Sequence, residues 1–220
     1  MGRGVFISFE GGDGVGKTTQ VELLTNWLED QGLSARGTRE PGATALGAQL
    51  RSLLLGTASE NAQRTQITAK AEALLFAADR AQHVNELINP ALAAGQVVVT
   101  DRYIDSSVAY QGAARCLGAK EVRDLSMWAT DNLLPDLTML LDADPQLAAK
   151  RVHTRSGKSD AIEAEGLQFQ YRLREQFHRL AEQEPERIKI IDASVEIEQI
   201  ATQVRALVSE LLKERGIIDA

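Results

Sequence analysis

At 220 residues, with 44% hydrophobic and 25% charged side chains, the chain can bury the core of one α/β domain and is too short for two large domains around a hinge. Its 24 Lys and Arg are scattered among 31 Asp and Glu for a net charge of -7, so no broad basic surface is expected and a polymeric nucleic acid partner is excluded. The apolar runs have strand length, far short of a membrane span, which excludes a transmembrane helix.

Residues 1–4, MGRG, lead directly into an apolar strand at 5–9, leaving no room for a cleavable leader. A helix over 17–31 follows, with Val21, Leu24, Trp27 and Leu28 marking its buried stripe and Gly32 stopping it. A short strand at 35–38 runs into REPG, and a helix at 46–55 comes next. A long Ala-rich helix over 65–89 is expected to end at Pro90. Residues 96–100 form a strand too apolar for a solvated sheet face, closing on Asp101, Arg102 and Tyr103. Cys116 is the only cysteine, which rules out an internal disulfide and points to a reducing, cytoplasmic setting. A helix at 120–131 and a strand at 137–141 follow, and Pro145 opens a further helix at a favoured first-turn position. The polar insert RSGKSD at 155–160 breaks the pattern, and helices at 163–182 and 196–214 flank a last strand at 187–191. Strand and helix alternate without repeat or linker, which predicts a parallel sheet in one domain over 1–220.

The stretch FEGGDGVGKT at 9–18 fits the pattern G-x-x-x-x-G-K-[ST] at every fixed position, with Gly11, Gly16, Lys17 and Thr18. Lying between a strand and a helix, its backbone N–H groups and the helix N-terminus converge on an anion. The loop, Gly11, Gly12, Asp13, Gly14, Val15, Gly16, Lys17, Thr18 and Thr19, is therefore the expected ATP cradle. Lys17 would contact the outer phosphates, and the Thr18 hydroxyl would ligate Mg²⁺. Asp101, at the carboxyl end of an apolar strand, is placed to hold the same ion through water.

FEGGDGVGKTTQ, TREPG, LRSLLL, LLFAADR, DRYIDSSVAYQG and PDLTMLLD run in order through most of the chain and resemble the bacterial thymidylate kinases. The loop is shared by many enzymes; TREPG with the DRY-to-YQG block is specific to this one family. The resemblance implies an α/β P-loop nucleoside monophosphate kinase fold, a parallel five-stranded sheet flanked by helices, that phosphorylates dTMP with ATP and Mg²⁺ as a homodimer. An acceptor that is already a phosphate needs no general base but does need guanidinium groups to hold two anions together. By similarity, Arg39 and Arg102 grip the acceptor phosphate, with Glu40, Pro41 and Arg51 on the same side of the pocket. Phe76 and Arg80, four residues apart and so on one helix face, correspond to the pair that stacks on thymine and donates to its exocyclic oxygen. Ser106, Ser107 and Gln111 fall in the block that meets the base edge, and Tyr110 stands where a ribose 2′-hydroxyl would have to fit. Asp13 matches an acidic position associated with the sugar 3′-hydroxyl and with organising the loop.

Some members carry an arginine at the position of Gly14, others on a mobile lid, expected here around 151–161. Gly14 places the chain in the second group and makes Arg155 the catalytic cation beside Lys17, Arg102 and Asp13, with Arg151 stabilising the preceding helix. The lid departs from the family pattern at Ala161, where an arginine is usual; either Lys158 offers a less directional substitute or that arginine matters less here. The rival readings are a deoxynucleoside kinase, which would need a base beside a neutral hydroxyl, and a nucleotide-dependent switch, for which no Asn-Lys-x-Asp segment is present. Arg155→Ala is expected to lower turnover far more than it weakens dTMP binding, and Lys158→Ala to cost less. Steady-state kinetics with normal Arg155→Ala turnover, or with the reverse ranking, would contradict the assignment.

Overall fold

The structure is a computed structural model that describes residues 3–55, 67–156 and 166–219, with the backbone alone at 153–156. Strands β1 (Val5–Glu10), β2 (Ala35–Arg39), β3 (Val97–Asp101), β4 (Leu137–Asp142) and β5 (Ile188–Asp192) form one parallel sheet in the order β2-β3-β1-β4-β5. Helices α1 (Lys17–Asp30) and α9 (Ile197–Glu214) cover one face, and α3 (Ala69–His83), α4 (Asn89–Ala93), α5 (Ile104–Ser107) and α8 (Leu167–Gln183) the other. Helices α2 (Ala45–Leu55), α6 (Ala119–Ala129) and α7 (Pro145–Ser156) complete the chain.

Every residue of β1 is buried, as a central parallel strand covered on both faces requires. Val5, Ile7 and Phe9 meet Leu24 and Leu28 of α1 and Val204 and Val208 of α9 in one core cluster. Phe6 faces the other cluster with Val98, Leu140 and the helices below. The same face of β1 carries Ser8, whose hydroxyl lies 2.8 Å from that of Thr138. Arg187 donates to Thr138 as well, at 2.8 Å, and makes a bidentate pair with Asp105 of α5 at 2.7 and 2.9 Å. These contacts give the polar groups behind the sheet partners without exposing them.

The strand boundaries agree with the sequence reading to within a residue; α3 begins at Ala69 behind the N-cap Thr68 and α8 at Leu167 behind Gly166, four residues later than the sequence reading in each case, and two helical stretches differ in kind. The long helix does not stop at Pro90: α3 continues through a π-helical turn, Val84–Ile88, into α4, which contains Pro90. The bonding slips to a five-residue step there, with the Asn89 N–H on the Val84 carbonyl. Pro90 thus enters at the first turn of a new α segment, where its missing N–H costs little. The second stretch is α5 with its π-helical continuation, Val108–Ala114, which period-based reading overlooked. It is buried almost throughout, so it shows no polar face to mark its period.

Register sets the position of the site. Phe9 of β1 and Arg39 of β2 both pair with Asp101 of β3, so three strand ends finish at one level. Side chains just beyond them open into the crevice at the carboxyl edge of the sheet.

Candidate active site

The phosphate loop leaves β1 at Gly11, whose φ of +130° and contact with β4 both require glycine: a Cβ there would stand 2.3 Å from the Leu141 carbonyl oxygen. Lys17 opens α1 and is buried, its ammonium turned onto the carbonyls of Gly11 at 3.2 Å and Gly12 at 2.6 Å. Burial, and then the nearby Arg102, push that ammonium down to about 8. Thr18 donates to Asp101 at 2.6 Å. One hydroxyl and one carboxylate are hard oxygen donors, a set that fits a magnesium-like ion completing its shell with water and phosphate. No cluster of three or more His, Cys, Asp or Glu suited to a metal occurs among the described residues.

Arg102 sits at φ +72°, in the left-handed region, a conformation that costs a non-glycine residue about 1–3 kcal/mol. Its N–H bonds the Phe9 carbonyl at 2.9 Å and its carbonyl accepts from Thr100 at 3.0 Å, which hold the backbone there. The guanidinium donates to the Gly11 carbonyl and to Ser106, each at 3.0 Å, lies over the Tyr110 ring and pairs with Asp13. Tyr110 donates to the other Asp13 oxygen at 2.8 Å. Burial alone would raise the Asp13 carboxyl, but Arg102 and then Lys17 outweigh it and hold it below the usual range.

On the far side of the cavity, the fully buried Arg80 donates to Glu40 at 2.8 Å, Ser126 at 3.1 Å, and the Tyr103 carbonyl and Ser107 at 3.0 Å each. Four of its five N–H groups are thereby used, which fixes the planar group at the cavity wall. Glu40 also contacts His83 Nδ1 at 2.9 Å, and His83 Nε2 contacts Thr38 at 2.8 Å. Arg51 donates to the Pro41 carbonyl at 2.8 Å, and Gln111 to Glu72 at 2.9 Å. Asp79, whose carboxyl burial and the Glu40 charge push up to about 6, accepts from the Gly42 N–H.

One cavity of about 200 Å³ gathers most of the residues named from sequence: Asp13, Gly14, Gly16, Lys17, Thr18, Thr19, Arg39, Glu40, Pro41, Arg51, Phe76, Arg80, Asp101, Arg102, Ser106, Ser107, Tyr110 and Gln111. Gly11, Gly12 and Val15 line a second, more apolar cavity between the loop, α7 and α8. The side chain of Arg155, with Lys158 and Ala161, lies outside the described residues. Arg151 reaches from α7 to the Ala193 carbonyl after β5 at 2.7 Å, so it ties its helix to a second part of the chain.

A family model described as thymidylate kinase matches residues 9–204. The chain belongs to the thymidylate kinase family. A thymidylate kinase of Bifidobacterium longum subsp. infantis is 54% identical over 96% of this chain and 88% of its own length, and one of Clavibacter sepedonicus 52% identical over 92% and 93%. The solved thymidylate kinase of Ehrlichia chaffeensis superposes with a TM-score of 0.73 at 30% identity, covering 94% of this chain and 99% of its own. The fold is accordingly that of the P-loop nucleoside monophosphate kinases, as the resemblance implied.

Sequence reasoning passed over His83, which stands seven residues after Phe76 and so shares its helix face with Phe76 and Arg80. That spacing was the available signal. Phosphates entering the loop would add negative charge beside Lys17 to that of Asp101, Asp13 and Glu10, and so would raise its proton affinity. Nucleotide binding at about pH 8.5 is expected to take up protons, whereas below about pH 7 Lys17 is charged before and after binding and takes up none. Calorimetric titration of ADP in two buffers of different ionisation enthalpy reads the uptake, which Lys17→Met should abolish. Equal heats in both buffers at the higher pH would refute it.

Proposed function

We propose that this chain transfers the γ-phosphoryl group of ATP to dTMP, giving dTDP and ADP, with the division of labour that follows. The observation that carries the reading is the meeting of a phosphate loop, three arginines and an aromatic–arginine pair in one cavity. Lys17 and the loop amides bind the donor phosphates; Thr18 and Asp101 would hold Mg²⁺, which supplies charge neutralisation at those phosphates when bound. Arg39 and Arg102 hold the acceptor phosphate in line, and Arg51 keeps the Pro41 turn in place beside them. The acceptor oxygen is already ionised, so the site needs no base and works by positioning and electrostatics.

Phe76 stacks on thymine while Arg80, braced by Glu40 and Ser126, directs its remaining N–H to the base oxygen. Gln111 donates to Glu72, which leaves its own carbonyl to accept from the base N–H. Tyr110, tied to Asp13, fills the space a 2′-hydroxyl would need. Arg155 on α7 serves as the cation over the transferring group, from a lid around 151–161 in a single domain. A coupled ADP-release assay across dTMP, dUMP, UMP, CMP, AMP and thymidine is expected to give highest kcat/KM with dTMP. Preference for thymidine would favour a nucleoside kinase, and no turnover with any acceptor a switch.

The reading extends to a cytoplasmic homodimer. Helix α2 packs on α3 and α3 on α6, and this layer exposes Leu46, Leu53, Leu74 and Trp128, the last at 81%. A second copy would cover such an apolar face. Sedimentation velocity should report twice the chain mass, falling to the monomer with Trp128→Glu; a wild-type monomer at micromolar concentration would exclude it. No helix among the described residues is long and apolar enough to cross a membrane.

A further inference from the structure

Glu10 is the last residue of β1 and is fully buried behind the phosphate loop. Two donors from the segment after β3 meet its carboxylate: the Tyr103 N–H on Oε1 at 2.8 Å and the Ser106 hydroxyl on Oε2 at 2.5 Å. Both flank Arg102, one from the next residue and one from the next helical turn. Ser106 Oγ itself accepts from Arg102 Nη1 at 3.0 Å, so a directed chain runs from the guanidinium through the hydroxyl to the carboxylate. Burial, and then Asp105, push the Glu10 carboxyl up to about 7, so holding it here is costly. Asp105 is itself engaged by Arg187, which keeps that second acid off the Arg102 side chain.

An apolar residue in place of Glu10 would leave two buried donors unmatched. A glutamine would satisfy only one pattern. If its carbonyl takes the Tyr103 N–H, its amide group faces Ser106, and the hydroxyl can no longer both accept from Arg102 and donate to residue 10.

We propose that Glu10 is a positioning residue that fixes the strained backbone and the guanidinium of Arg102 together, through the Tyr103 N–H and the Ser106 hydroxyl. The inference rests on the reading of Arg102 as the acceptor-phosphate clamp. Glu10→Gln is expected to lower kcat/KM for dTMP by about tenfold or more, chiefly through KM for dTMP, with KM for ATP within about twofold of wild type. Ser106→Ala interrupts the same chain while keeping the acid and its bond from the Tyr103 N–H, and should give the same split. Thermal unfolding checks that each variant folds, and Ser106→Ala carries the test if Glu10→Gln does not. On dTMP affinity measured by calorimetry, Glu10→Gln in an Arg102→Ala background should add less than about a twofold loss. The full loss persisting without Arg102, or an equal rise in both KM values, overturns the positioning role. A wild-type chain that turns over dTMP alongside an unaltered Glu10→Gln overturns that role alone; a wild-type chain with no dTMP turnover overturns the acceptor reading and this inference with it.

Discussion

The ion pair between Asp13 and Arg102 joins the loop after β1 to the segment after β3, and most of the crevice geometry depends on it. A phosphate site concentrates cations where water is scarce, and a buried cation without a partner is expensive. The protein supplies such partners from its own loop. Asp13 answers Arg102, and loop carbonyls answer Lys17. The lowered proton affinity of Lys17 and the lowered Asp13 carboxyl are two consequences of one imbalance: burial disfavours both charges, and only Asp13 has enough countercharge beside it.

That pairing is possible because the sheet brings its strand ends to one level. Parallel register aligns Phe9, Asp101 and Arg39, so Glu40 after β2 and Arg102 after β3 both line the same cavity. The left-handed turn at Arg102 then sends its side chain back toward the Gly11 carbonyl and away from the strand direction. Strain at that one residue is offset by contacts with Phe9, Thr100, Gly11 and Ser106, which lie on or beside β1, β3 and α5.

Elements that carry a strong local signal were legible in the sequence. The apolar strands, the glycine loop, the caps around α1 and the first turn at Pro145 each rest on short-range physics. The buried π-helical stretch over Val108–Ala114 was not, since a segment buried on nearly all sides, its polar groups Tyr110 and Gln111 included, has no exposed polar face to mark a period. Pro90 misled because its effect depends on the hydrogen-bond step of the preceding turn, which composition does not reveal. The partners of Arg80 escaped for another reason: Glu40, Ser126 and Ser107 are 40, 46 and 27 residues away, and no pattern along the chain encodes such closure. Glu10 was hidden by its setting, one acid at the end of an apolar strand beside a loop that drew the attention.

Gly14 shows how a residue noted for what it lacks can be required for what it admits. Its φ is +80°, and a Cβ there would lie 2.4 Å from the Ala148 carbonyl oxygen and 2.8 Å from the Val152 side chain. Helix α7 is therefore seated on the bare backbone of the loop, and an arginine at position 14 and this seat for α7 exclude each other. The bare glycine is what lets Ala148 and Val152 of that helix come so close to the loop. Arg151 secures the same helix to the loop after β5. Loop and helix thus form a single choice: close packing at residue 14 leaves no room for a side chain there while α7 keeps this seat.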